Sequence, residues 1–191
     1  MRSTLLASSR SRSTEPEPRR IIVGYECEWF LDRVELIERG IVTTSPIGPR
    51  HAACVKKLGA LLRNLLPGEA IVAVQDPVRL NDYSEPLPDF SVLLARDDFY
   101  ASAHPGPESV VLLIEVADPS MMYDRNTKLP LYARLGIPEV WLVDLVKNIV
   151  ELHSSPGGGG YDRMQRFERG ATVTSAQLAE LRIQADEILV G

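Results

Sequence analysis

Apolar residues recur along this chain with two different periods, and the alternation between them predicts the elements. Glu35-Leu-Ile and Ile41-Val-Thr-Thr flank Arg39-Gly40 and predict a hairpin. From Pro49 to Leu66 the apolar positions Ala52, Val55, Leu58, Leu62 and Leu65 fall at three- and four-residue steps, which predicts a helix stopped by Pro67-Gly68. Ile71–Val74 and Pro77–Leu80 predict one strand bent at the proline, and Asn81–Pro88 a polar loop. Phe90-Ser-Val-Leu-Leu94 and Val110-Val-Leu-Leu-Ile-Glu-Val116 predict two buried strands, separated by a loop over 96–108.

A helix is predicted over Met121–Leu135. Ser120 is placed to cap it, Pro130 is a fault near its middle and Gly136 ends it. Glu139–Asp144 and Asn148–His153 predict two more strands. Ser154–Gly160 predicts a loop with a flexible tip at Gly157–Gly160, Tyr161–Phe167 a further strand, and Ala176–Val190 short closing elements. A short helix is predicted over Tyr25–Arg33. Helix, hairpin, helix, strands, helix, strands is the order of an α/β domain, with a central mixed β-sheet flanked by helices.

One residue breaks the apolar pattern. Glu115 stands alone in the run 110–116, and a carboxylate on a sheet-core strand must be held by a cation, a donor or a metal. Asp89 opens the upstream strand after Pro88, and Lys128 lies on the following helix. Taken singly, Asp89 reads as a turn residue and Lys128 as a solvated helix lysine. Brought together at a sheet edge, Asp, Glu and Lys make a site for a divalent metal and an activated water.

The bulk numbers narrow the classes. The chain has 191 residues, with hydrophobic content of 45% and charged content of 25%, which are ordinary globular values. No apolar stretch is long enough for a membrane helix. Net charge is −5, which argues against a generally basic nucleic-acid-binding surface. Residues 1–20 hold five Arg and two Glu and read as a disordered basic tail. The remaining 16 basic and 24 acidic residues give residues 21–191 a charge of −8. Cys27 and Cys54 have no CxxC spacing, and His51, His104 and His153 are scattered singly, so a structural zinc site is not expected and a reduced, cytoplasmic setting is.

In order, Ser84-Glu-Pro-Leu-Pro-Asp89, Ile114-Glu-Val-Ala-Asp-Pro-Ser120, Tyr123-Asp-Arg-Asn-Thr-Lys128 and Leu131-Tyr-Ala-Arg-Leu-Gly-Ile-Pro-Glu-Val-Trp-Leu-Val-Asp144 resemble the Uma2 family. The resemblance runs from about residue 25 to the C-terminus. It implies a restriction-endonuclease-like fold of the PD-(D/E)xK superfamily and a Mg²⁺-dependent endonuclease acting on DNA, with Mn²⁺ as a substitute. It implies Asp89 and Glu115 as metal ligands and Lys128 as the third catalytic group. The superfamily position for the lysine, two after the glutamate, is Ala117 here, and the lysine moves to the helix. By the same resemblance Glu35, His51, Gln75, Asp124 and Arg125 are supporting residues, for which packing or solvation is the alternative. Tyr132 and Trp141 read as core. Pro119 and Met121 depart from the small hydroxyl residues usual there. The acidic balance implies weak or partner-assisted DNA binding, and a homodimer is conceivable for the fold. A catalytically silent binding module and a hydrolase of small phosphate compounds are the rival functions.

Overall fold

The computed structural model describes residues 34–43, 47–66, 68, 70–117 and 121–190. The expected tail over 1–20, the helix over 25–33 and the Ser120 cap lie outside them.

The centre is a six-stranded sheet in the order β3-β4-β5-β6-β7-β8. Its strands are β3 (Ala70–Val74), β4 (Phe90–Leu94), β5 (Val110–Ala117), β6 (Glu139–Asp144), β7 (Ile149–Gly157) and β8 (Gly160–Phe167). All neighbours are antiparallel except β5 and β6, which run parallel with Glu115 opposite Leu142. A parallel pair needs a crossover connection, and helices supply it here. β5 and β6 are buried on both faces, which is why they read as near-continuous apolar runs.

One face of the sheet is covered by α1 (Pro49–Leu65), whose Cys54, Leu58 and Leu62 pack on Phe90, Val92, Ile114, Val116, Trp141 and Val143. Gly59 of α1 lets the helix sit close on the sheet, since a Cβ there would come within 3.3 Å of the Phe90 ring. The short pair β9 (Thr172–Thr174) and β10 (Arg182–Gln184) and the helix α4 (Ala185–Ile188) complete this core. They are tied to the sheet by Glu139, fully buried, which accepts from Trp141 Nε1 at 2.6 Å, Ala176 N at 2.7 Å, Gln177 N at 2.9 Å and Ser175 Oγ at 3.1 Å.

The other face packs Leu113, Val140 and Leu142 against the crossover helix and against Ile37, Val78 and Leu80. Ile37 belongs to the hairpin β1 (Val34–Ile37) and β2 (Gly40–Thr43), whose two turn residues Glu38 and Arg39 have φ of 48° and 69°. Positive φ at both central positions is the mirror-image turn that suits a two-residue hairpin.

The crossover helix has three parts. α2 (Met121–Tyr123) opens into a π-helical turn, Asp124–Lys128, before α3 (Leu129–Arg134). Pro130 accounts for the widening: it lacks the N–H that would bond the carbonyl four residues back, and its ring crowds that carbonyl. Gly136, at φ 78°, then closes the helix, with Ile137 N bonding Tyr132 O at 3.0 Å and Gly136 N bonding Ala133 O at 3.1 Å.

Two expectations need correction. Pro77–Leu80 is not the second half of a bent strand. β3 stops at Val74, Gln75 turns with φ 57°, and 76–80 run as irregular chain whose Val78 and Leu80 are buried under the second core. A buried apolar pair in a loop looks like a strand by pattern alone. Ser154–Gly160 is not a loop throughout either: β7 continues to Gly157 and only a tight turn separates it from β8.

Candidate active site

The sheet brings three sequence-distant polar residues to one level at one end. β3 pairs β4 with Val74 opposite Phe90, and β4 pairs β5 with Phe90 opposite Ile114. The next step along the ladder sets Gln75 beside Asp89, and Asp89 beside Glu115. The backbone bond from Gln75 N to Asp89 O, 3.1 Å, continues the ladder by that step.

Asp89 is 5% exposed, and donors surround its carboxylate. Gln75 Nε2 donates to Oδ1 at 3.0 Å. Val116 N donates to Oδ2 at 2.9 Å, and His51 Nε2 lies 3.0 Å from the same oxygen. Burial works to raise the Asp89 pKa, but the bonds and charge from His51, with the Val116 and Gln75 donors, outweigh it and hold the group below the usual carboxylate range. His51 comes from the first turn of α1, which packs on the opposite sheet face, so its ring reaches around the strand ends.

Glu115 faces the crossover helix. Tyr132 Oη donates to its Oε1 at 2.6 Å, and Lys128 Nζ lies 3.2 Å from the same atom. Lys128 is 4% exposed and touches two more buried acids, Glu35 Oε1 at 2.8 Å and Asp124 Oδ1 at 3.8 Å. Glu35 Oε1 also accepts from Leu87 N at 2.8 Å, tying the β1–β2 hairpin to the Pro88-Asp89 segment, while its Oε2 is buried with no hydrogen-bond partner.

One ammonium among three carboxylates leaves an excess of negative charge in a dry space. Burial pushes the Glu115 carboxyl up to about 8; Lys128 opposes the rise, and Asp124, Asp89 and Glu35 add to it. Burial alone would lower Lys128, yet Glu115, Glu35 and Asp124 together hold it charged, above its ordinary value. Without a further cation the cluster therefore tends to keep a proton on Glu115.

The sequence-derived candidates thus fall into one site, with one exception. Asp89, Glu115, Lys128, Glu35, His51, Gln75 and Asp124 converge. Arg125 turns instead to Glu151 on β7, with Nη2 2.6 Å from Oε2. Tyr132, expected as core, is fully buried and is also a hydrogen-bond donor to Glu115. Its place one helical turn after Lys128 is the signal that could have found it. Glu151, 2% exposed, was not anticipated, although like Glu115 it is a lone acid in an apolar run.

The donor set suits a hard divalent cation: carboxylate oxygens, surplus negative charge, and an orphaned oxygen on Glu35. Among the described residues no three His, Cys, Asp or Glu side chains form a ready-made metal group. Mg²⁺ does not require one, since one or two carboxylates with waters and substrate phosphate commonly suffice.

A six-stranded mixed sheet flanked by helices, carrying a buried Asp, Glu and Lys at one end, is a restriction-endonuclease-like α/β arrangement. The chain belongs to the Uma2 family, described as putative restriction endonuclease, whose family model matches residues 29–186. The fold is similar to the crystal structure of a putative nuclease belonging to DUF820 from Anabaena variabilis ATCC 29413, with a TM-score of 0.63 and 17% identity over 81% of this chain and 88% of that one. No curated protein matches the chain in sequence. No helix among the described residues is long and apolar enough to cross a membrane.

Proposed function

We propose that this protein is a Mg²⁺-dependent endonuclease that hydrolyses DNA phosphodiester bonds, with Mn²⁺ able to substitute. The observation that carries the reading is the buried convergence of Lys128 on Glu115, Glu35 and Asp124, with Asp89 just before the neighbouring strand β4. Asp89 and Glu115 would hold the metal, with the carbonyl of Val116 as a further oxygen. When bound, the metal supplies Lewis-acid polarisation of the phosphate and a lowered pKa for its water.

The protein's own groups supply the rest. Gln75, His51 and Val116 N–H keep Asp89 ionised and fixed in direction. Tyr132 and Lys128 both bond Glu115 through Oε1 rather than Oε2, which orients the carboxylate. Lys128, held charged by its acids, orients the attacking water and offsets charge developing on the phosphate. Glu35 and Asp124 hold Lys128 in place.

The test is cleavage of supercoiled and single-stranded DNA by wild type and Glu115→Ala in Mg²⁺, Mn²⁺ and EDTA. Metal-dependent nicking that vanishes in the variant supports the nuclease. Folded wild-type protein that cuts nothing under any metal shifts the reading to a non-catalytic binding module, which the acidic balance of the chain favours.

A further inference from the structure

Glu115, Leu142, Glu151 and Arg166 form one cross-strand row, because Glu115 pairs Leu142, Leu142 pairs Glu151 and Glu151 pairs Arg166. At about 4.8 Å per strand, Glu151 stands roughly 10 Å from Glu115 on the same sheet face. Two guanidinium groups meet its buried carboxylate: Arg125 at 2.6 Å on Oε2 and Arg166 at 3.0 Å on Oε1. Burial works to raise Glu151, and the two arginine bonds overcome it and hold the group below the usual carboxylate range.

Three features set this cluster apart from a structural ion pair. A single buried carboxylate is neutralised by one arginine, so the second leaves a net positive charge. The surplus is reachable, since the arginine side chains are 31% and 52% exposed while Glu151 is 2% exposed. Beside them His153, 9% exposed, carries a buried Nε2 without a hydrogen-bond partner, 3.5 Å from Glu151 Oε2. Each guanidinium has five N–H donors, and the bond to Glu151 leaves others over. Arg125 springs from the same π-helical turn as Lys128, so this turn sends one cation to β5 and another to β7.

We propose that Arg125 and Arg166, positioned by Glu151, form a phosphate-holding site that grips the DNA backbone beside the reacting phosphate. A separation of roughly 10 Å between the two positions is short enough for neighbouring phosphates of one strand to reach both. In a chain of net charge −5, a local clamp of this kind supplies the electrostatic contact that the overall charge does not. The inference rests on the nuclease reading for the identity of the substrate.

The test is the salt dependence of binding to a short DNA duplex in EDTA. Because Arg125→Ala/Arg166→Ala leaves Glu151 buried and unpaired and could unfold, the main variant is Arg125→Gln/Glu151→Gln/Arg166→Gln, checked for a cooperative melt. Its log–log salt slope should fall by about one relative to wild type, for the single surplus positive charge of the cluster, and Arg125→Lys/Arg166→Lys should keep the wild-type slope. An unchanged slope in the folded triple variant overturns the proposal and leaves the nuclease standing. Wild type that binds with the steep slope but cuts nothing in any metal keeps the phosphate site and removes the nuclease. Absence of salt-dependent duplex binding by wild type overturns the site.

Discussion

Lys128 Nζ lies closer to Glu35 Oε1, at 2.8 Å, than to Glu115 Oε1, at 3.2 Å. The lysine of the site is therefore anchored by the hairpin as firmly as by the central strand. Removing it leaves Glu35, Glu115 and Asp124 buried around no cation. Lys128→Ala should lose roughly 3–5 kcal/mol of stability by denaturant unfolding, the cost of breaking a buried ion cluster from one side. A loss below about 1 kcal/mol would mean that the acids are not jointly dependent on it.

Glu115→Gln should behave in the opposite sense, and its effect should depend on pH. The folded-state pKa of Glu115, about 8, lies above its ordinary 4.5. Stability from the protonated group is fully present below pH 4.5 and is lost as pH rises through 8. In EDTA, Glu115→Gln should match wild type near pH 4.5 and gain on it up to pH 9, by on the order of 4 kcal/mol, the opposing Lys128 attraction being already contained in the net shift. Melting temperatures across that range decide it, and a constant difference would show that Glu115 does not carry the proton.

Gln75 holds Asp89 from a backbone with φ 57°, a conformation that side chains other than glycine rarely adopt. Gln75→Gly should leave stability within about 1 kcal/mol, because relief of the backbone offsets the lost hydrogen bond. DNA cleavage should nonetheless fall about 10–100-fold, as is usual when a partner of a metal ligand is removed. Rates and melting temperatures measured on the same preparation separate the two effects.

Glu139 is a structural acid, and its removal should act on folding. Glu139→Ala strips buried Trp141 Nε1 of its acceptor, removes the acceptor of Ala176 N at the edge of the same pocket, and leaves Gln177 N with Ser175 Oγ alone. The expected loss is about 3 kcal/mol or more, read from the urea midpoint. A shift of the midpoint too small to measure would mean that water replaces the carboxylate.

Much of this was written in the chain and some was not. Glu115 announces itself as an acid inside an apolar strand, whereas Glu151, placed alike, was not anticipated, and Pro130 marks the place where the helix widens. Tyr132 is core as expected, and its bond to Glu115 stays hidden because a hydroxyl that meets a carboxylate cannot be told from an aromatic in a core without the helix register. Arg125, expected as a supporting residue or a solvated one, meets Glu151, because cross-strand register decides which strand lies under a helical side chain. Val78 and Leu80 read as strand by pattern because burial, rather than β-pairing, makes that pattern.

The hairpin and the crossover contribute to the site on very different chain distances: Glu115 and Lys128 are 13 residues apart, Glu35 and Lys128 93. Closing the short loop costs less entropy than closing the long one, so the βαβ segment can bring Glu115 and Lys128 together early, while Glu35 arrives only with the global fold. Opening should run in the reverse order. In native-state hydrogen exchange, Leu36 and the hairpin amides should lose protection by local fluctuation, well before those of β5 and β6. Such an opening releases one partner of the lysine while its pairing with the central strand persists.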